Sequence, residues 1–344
     1  MGICGMGILR GTGILPVSSL FSRGQDAHST SIHSKIDPTP PIPDSRFPIP
    51  DSLFPVPYSL PQLGARSKMT FNQQHAIITG GSSGIGKATA KLLAQKGANL
   101  TLIARDAAKL EQAKVEIEGM GTHPQAKILT ISADVSQEIQ VEAAIEQAIN
   151  QIGPADLLIT SAGIAHPGYF QELPIEVFEQ TMAVNYFGSL YAIKAVLPSM
   201  VEQHKGHIVL LSSGAGLIGI YGYTPYSPSK FALRGLAESL RGELKPQGIH
   251  VSIVYPPDTD TPQLEAENKT KPQETKMITG SAEMWSATAV ADQIVRGIEK
   301  KQFGIMPGFE MRLLGRFHSL LAPGLNWYFD RIVAANKGKS DFRD

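Results

Sequence analysis

From residue 75 onward, short runs of aliphatic and β-branched residues alternate with longer stretches whose apolar positions recur at helical spacing. Strands are predicted at 75–79, 100–104, 127–131, 156–160, 207–211, 250–254 and 303–306. Most are apolar nearly throughout rather than alternating, which is the pattern of strands covered on both faces. Helical periodicity fills the gaps at 85–96, 107–118, 138–152, 174–203, 227–245 and 287–300. The alternation predicts an α/β fold, a doubly wound parallel sheet of about seven strands with helices on both faces. In such a sheet a ligand sits at the carboxyl ends of the strands.

Residues 1–68 break the pattern. They are rich in Pro, Ser and Gly and contain the near-repeat Pro43-Asp44-Ser45-Arg46-Phe47-Pro48 and Pro50-Asp51-Ser52-Leu53-Phe54-Pro55. Pro at this density blocks helices and sheet ladders alike. Two readings stay open: a disordered Pro-rich extension that binds a partner, or translated upstream sequence ahead of a native start at Met69. The second fits better, because Met69-Thr70-Phe71 stands just before the first strand. One folded domain is expected over 69–308, followed by an amphipathic tail over 309–344.

Composition narrows the function classes. Lys and Arg total 31 and Asp and Glu total 31, so no basic field points to nucleic acid. Cys4 is the only cysteine, which excludes an intrachain disulfide or thiolate cluster and favours a reducing, cytoplasmic setting. No run of eighteen apolar residues occurs, and the apolar start lacks the basic region and cleavage site of a secretory signal. His166, His204 and His207 have no metal-ligand spacing and are read as surface or loop residues, so no metal is expected.

The first predicted strand runs into Thr79-Gly80-Gly81-Ser82-Ser83-Gly84-Ile85-Gly86 and then a helix. Between strand and helix, glycines let the backbone turn sharply and approach a pyrophosphate, whose charge the helix N-terminus stabilises. This predicts a Rossmann-type dinucleotide site at Gly80, Ser82, Ser83, Gly84, Ile85 and Gly86. The end of the second strand lies beside the adenosine ribose; there the chain has Arg105, with Lys109 one turn on, rather than a carboxylate. A guanidinium can grip a 2′-phosphate, so NADPH is expected; a solvated surface pair is the alternative. Asp134 and Val135 follow the third strand, where Asp134 can meet the adenine edge, cap the next helix, or both. Ser161-Ala162-Gly163 follows the fourth, where small residues let the backbone pass close to a cofactor.

Tyr226 and Lys230 are spaced i, i+4 and so share a helix face. A phenol with a reference pKa of about 10 needs a neighbouring ammonium to favour its phenolate before it works as an acid–base group near neutrality. Singly, Tyr226 is a packing residue and Ser213 a strand-end hydroxyl. Together with Thr79-Gly80-x-x-x-Gly84-x-Gly86, Ser161-Ala162-Gly163 and Asn185, the order of motifs over about 75–308 resembles the short-chain dehydrogenase/reductase family. The resemblance implies a proton donor in Tyr226, a carbonyl hydrogen bond from Ser213, and ribose contacts and phenol activation by Lys230. It also implies a water-holding role for Asn185 and cofactor contacts at Ala162, Gly163, Pro256 and Thr259. Two departures stand out: Ser161 where the family has Asn, expected to affect strand bracing, and Pro257 where it has Gly.

Within the family, the loop from Tyr255 to Thr275 and the helix Ser229 to Glu238 resemble the subfamily that reduces 3-ketosphinganine to sphinganine with NADPH at a membrane. The expected substrate is therefore a lipid-like ketone, under an apolar flexible lid over 262–285. Asp258 and Asp260 can draw in its ammonium or simply fix the loop. A 3-oxoacyl-carrier-protein reductase, another ketone reductase of the family, or a cofactor-binding sensor or scaffold are the alternatives. The tail interleaves Leu, Phe and Trp with Arg, which suits either a helix in a membrane interface or packing on the domain or a second subunit. Peripheral membrane contact and a homo-oligomer both stay open.

Overall fold

The computed structural model describes residues 71–120, 126–280 and 283–340; the extension over 1–68 and the start proposed at Met69 lie outside them. Strand and helix alternate through β1 (His75–Thr79), α1 (Gly84–Gln95), β2 (Asn99–Ala104), α2 (Ala107–Glu118), β3 (Ile128–Ser132), α3 (Glu138–Ile152) and β4 (Leu157–Thr160). The chain continues through α4 (Ile175–Met182), α5 (Gly188–Glu202), β5 (Gly206–Leu211), α6 (Tyr226–Leu244) and β6 (Ile249–Val254). Next come β7 (Thr259–Asp260), α7 (Pro262–Thr270), α8 (Gln273–Thr279), β8 (Trp285–Ser286), α9 (Ala287–Glu299), β9 (Gly304–Ile305) and α10 (Gly308–Ser340).

Seven strands form one parallel sheet in the order β3-β2-β1-β4-β5-β6-β9, the doubly wound architecture expected from the pattern. Successive residues of β1 point to opposite faces, so Ile77 enters one core and Ile78 the other. The first core packs under α3, α5 and α6, the second under α1, α2 and α9. The order reverses between β1 and β4, and the crevice opens at their carboxyl ends.

Three features differ from the pattern-based expectation. The helix expected over 174–203 is interrupted by a π-helical turn at Ala183–Phe187 between α4 and α5, which puts Asn185 on a wider turn facing the core. The lid holds two short helices, and its ends are tied together: Thr259 and Asp260 pair in parallel with Trp285 and Ser286. The tail is helical from Gly308, kinks at Phe317, and docks its first half on the domain, with Leu314 against the core and Arg234 Nη1 3.1 Å from His318 Nε2. Phe309, Leu320 and Trp327 remain exposed.

His207 also departs from its expected surface position. It is fully buried in β5, with Nε2 2.7 Å from Ser252 Oγ, because the parallel sheet is covered on both faces. Burial, with His250 and Lys301 adding, lowers its pKa from 6.5 to about 3. Between those values the unfolded chain binds the proton and the folded one does not, so stability falls as pH drops through this window. From pH 7 to pH 5 the loss is about 2 kcal/mol, or about 4–8 °C in melting temperature. Thermal melts across this range should show that slope, flattened in His207→Gln.

Candidate active site

The glycine turn after β1 forms because no side chain fits it. A β-carbon on Gly80, whose φ is +70°, would lie within 2.8 Å of the main chain of Ala162, and one on Gly86 would strike the Gly80 carbonyl. Bare backbone therefore faces the crevice, and α1 begins there with Ser83 at its N-cap but no side-chain hydrogen bond closing the first turn. Its outward N–H groups suit a pyrophosphate. Gly80, Ser83, Gly84 and Ile85 line a cavity of about 200 Å³, whereas half-buried Ser82 and buried Gly86 do not line it. Gly163 passes close over the site: a β-carbon there would stand 3.5 Å from Lys230 Nζ and 3.3 Å from Asn185 Oδ1.

Arg105 is exposed at the end of β2. Lys109 is exposed too and lies 3.7 Å from Asp106, which caps α2 by accepting from the Lys109 N–H at 3.0 Å. Asp134 is half-buried and accepts from both Ser136 N–H and Ser136 Oγ, so its carboxylate organises the turn after β3. Val135 is buried against Gly188 of α5. Pro256 and Thr259 both line the cavity.

Around the cavity floor, Ser213, Tyr226 and Lys230 converge. Tyr226 opens α6 directly after Pro225, and the next helical turn brings Lys230 beneath it, with Nζ 5.4 Å from the ring centroid. Both are buried, and Nζ donates to the Leu211 carbonyl at 2.9 Å. Burial lowers the Lys230 pKa to about 8. The expected lowering of the Tyr226 pKa by Lys230 is not found. Burial raises it, the Glu267 carboxylate adds to the rise, and hydrogen bonds with Ser213 and Gln263 only partly oppose them. The ammonium lies over the ring rather than at the hydroxyl, and desolvation dominates.

Asn185 braces this floor. Its Oδ1 accepts from Ile164 N–H at 2.8 Å, while Nδ2 donates to Ile164 O at 3.0 Å and to Ser229 Oγ at 2.9 Å. The side chain is thus committed to the strand exit after β4 and to α6. Ser161 lines the cavity beside Gly86, and its neighbour Ala162 donates its N–H to Thr79 Oγ1 at 3.3 Å.

The lid supplies two residues to which the sequence reading gave no role, Glu267 and Gln263. Glu267, Gln263 and Leu264 of α7 line the cavity along with Asp258, while Asp260 is exposed. Glu267 stands among Glu265, Lys269 and Lys271, and nothing in the sequence sets it apart from these neighbours. Among the described residues no cluster of His, Cys, Asp or Glu could hold a metal ion.

A crevice at the sheet's reversal, a glycine turn capped by a bare helix end and a buried Tyr–Lys pair define an oxidoreductase site, and the chain belongs to the short chain dehydrogenase family, whose profile matches residues 74–272. The family takes a nicotinamide cofactor, which the glycine turn and the Gly163 approach fit. The chain is 45% identical to a 3-dehydrosphinganine reductase of Danio rerio over 247 residues, 72% of this chain and 74% of the relative. It is equally 45% identical to a 3-ketodihydrosphingosine reductase of Bos taurus, over 72% of this chain and 75% of the relative. Among solved structures it resembles a short chain dehydrogenase/reductase from Burkholderia phymatum in complex with NAD. That match has a TM-score of 0.65 and 26% identity, and covers 74% of this chain and 97% of the other. Levodione reductase matches with a TM-score of 0.62 and 30% identity, over 67% of this chain and 91% of the other.

Replacing Asn185 by Ala strands the buried partners on Ile164 and Ser229 without closing the gap. Stability should fall by about 2–3 kcal/mol, read as a lower midpoint in chemical or thermal unfolding.

Proposed function

We propose that this protein reduces the C3 ketone of 3-ketosphinganine to the alcohol of sphinganine, with NADPH as reductant. The observation that carries the reading is the convergence of Ser213, Tyr226 and Lys230 on one cavity in a chain 45% identical to reductases named for this substrate. When bound, the nicotinamide supplies the hydride that the carbonyl carbon receives. Ser213 holds the carbonyl oxygen by a hydrogen bond, and the Tyr226 hydroxyl gives it the proton. Burial keeps Tyr226 protonated at neutral pH, so the proton is in place to be given. Lys230, anchored on the Leu211 carbonyl, places a positive charge under the phenol as negative charge develops. Asn185 holds the backbone of Ile164 in register beside this pair.

At the far end of the cofactor site, Arg105 is assigned to the 2′-phosphate, with Lys109 adding positive charge from the first turn of α2. Asp134 and Val135 flank the adenine side, while Ala162, Gly163, Pro256 and Thr259 surround the nicotinamide end. A lipid-like substrate fits a protein that rests on a membrane surface. No helix among the described residues is long and apolar enough to cross a membrane. Phe309, Leu313 and Phe317 instead stand exposed on α10, lining a groove with Arg296, Lys300, Arg312 and Arg316. Apolar side chains rimmed by cations are suited to an interface of anionic lipid.

NADPH oxidation with 3-ketosphinganine, an acetoacetyl thioester and a steroid ketone tests the substrate. The first should be preferred; preference for the thioester would favour an acyl-carrier reductase. Tyr226→Phe should lower turnover by roughly 10²–10⁴-fold, with little change in cofactor affinity, because the ring still packs and only the proton donor is lost. Near-normal turnover would show that another group supplies the proton. Arg105→Asp removes a charged hydrogen-bond donor and adds repulsion, so affinity should fall roughly 10–100-fold for NADPH and far less for NADH. Equal losses in binding titrations would remove the 2′-phosphate assignment.

A further inference from the structure

Among the described residues the lid buries three charged side chains, Glu267, Lys271 and Glu274, and of these Glu267 lines the cavity, where neither cofactor binding nor proton transfer requires it. Glu267 on α7 is 6% exposed and lines the cavity shared by Ser213 and Tyr226. Its Oε2 accepts from the Tyr223 hydroxyl at 2.6 Å and its Oε1 from Gln263 Nε2 at 2.8 Å. Lys271, buried as well, is the nearby cation, and its Nζ stands 3.9 Å from Oε2 and 5.9 Å from the Tyr223 ring centroid, an ion pair without a close hydrogen bond. A carboxylate in the interior is unfavourable unless closely paired and fully hydrogen-bonded. Half-buried Asp258 adds a second carboxylate to the same wall.

Position gives this charge its meaning. Gln263, which hydrogen-bonds Glu267, lines the same cavity as Tyr226, and the Tyr223 ring, whose hydroxyl holds the carboxylate, is 5.5 Å from the Tyr226 ring. Glu267 is therefore one side chain away from where a ketone oxygen must lie to take a proton. A negative charge here opposes release of that proton, and its effect reaches Tyr226. A cation arriving with the substrate cancels the opposition. An α-amino ketone brings such a cation on the carbon beside the carbonyl.

We propose that Glu267 selects amino ketones, receiving the substrate's ammonium while Tyr223 and Gln263 hold its carboxylate in place. The proposal rests on the reduction proposed above and deepens it. The simpler role, a clasp that fastens α7 to the body through Tyr223, predicts no discrimination between ketones. The two roles separate in Glu267→Gln, which removes the charge but keeps an oxygen to accept from Tyr223.

The test compares kcat/KM for 3-ketosphinganine with that for the same long-chain ketone lacking the amine. Wild-type protein should prefer the amine, and in Glu267→Gln that preference should shrink roughly 10–100-fold, the range of a charged hydrogen bond. Equal losses on both ketones, with the preference intact, would overturn the proposal in favour of the clasp. Wild-type protein that shows no preference for the amine overturns it as well, without any variant. Wild-type protein inert toward 3-ketosphinganine but active on other ketones would sink the substrate assignment itself, an outcome distinct from losing the Glu267 contact alone.

Discussion

The Lys230 ammonium lies in the interior, 5% exposed, where a charge is unfavourable unless the surroundings accept its protons. One acceptor is the Leu211 carbonyl, the last residue of β5, so the ladder holding β5 between β4 and β6 also fixes the cation. Another link runs through Ser212, whose hydroxyl donates to the Lys230 carbonyl and ties the start of α6 to the strand end. Gly163 crosses close above Nζ, so the backbone after β4 closes the same pocket. The site is thus an extension of the sheet. A shift of either strand would move the cation away from the phenol.

Burial acts on the two members of the pair in opposite senses. It lowers Lys230 to about 8 and raises Tyr226, because desolvation penalises the charged form of each. The pair at neutral pH is an ammonium beneath a neutral phenol, the state that can give up a proton but cannot take one from an alcohol. Serving as a base would need the phenolate, which burial and Glu267 both disfavour. Donating the proton leaves that same phenolate, so burial and Glu267 oppose the phenol as an acid and as a base alike and set no direction for the reaction.

The sheet was legible because its strands are apolar on both faces: β1, β2, β5 and β6 lie within a residue of the runs read from the sequence. The glycine turn and the Tyr226–Lys230 spacing were legible for the same kind of reason, since each depends on local geometry that the chain itself encodes. The π-turn at Asn185 was not, because inserting one residue into a helix barely alters its apolar period over thirty residues. Nor was the sign of the Tyr226 shift, which depends on burial and on Glu267, forty-one positions downstream in the lid. His207 misled because a histidine in an apolar run was weighed as a polar residue, whereas Ser252 on the neighbouring strand accommodates it inside.

The lid shows why the remaining ambiguity concentrated after β6. Its helices α7 and α8 are short and charged, and isolated helices of that length have little stability in water. They hold because contacts far away in sequence hold them. β7 and β8 tie the two ends, Thr275 Oγ1 donates to the Tyr221 carbonyl, and Tyr169 donates to Glu274 at 3.0 Å. Tyr221 and Tyr223 belong to the loop leading into Tyr226, so the segment that fastens the lid also delivers the proton donor. The lid and the acid therefore share one support, with α7 fastened through Tyr223 and α8 through the Tyr221 carbonyl on the loop that ends at Tyr226.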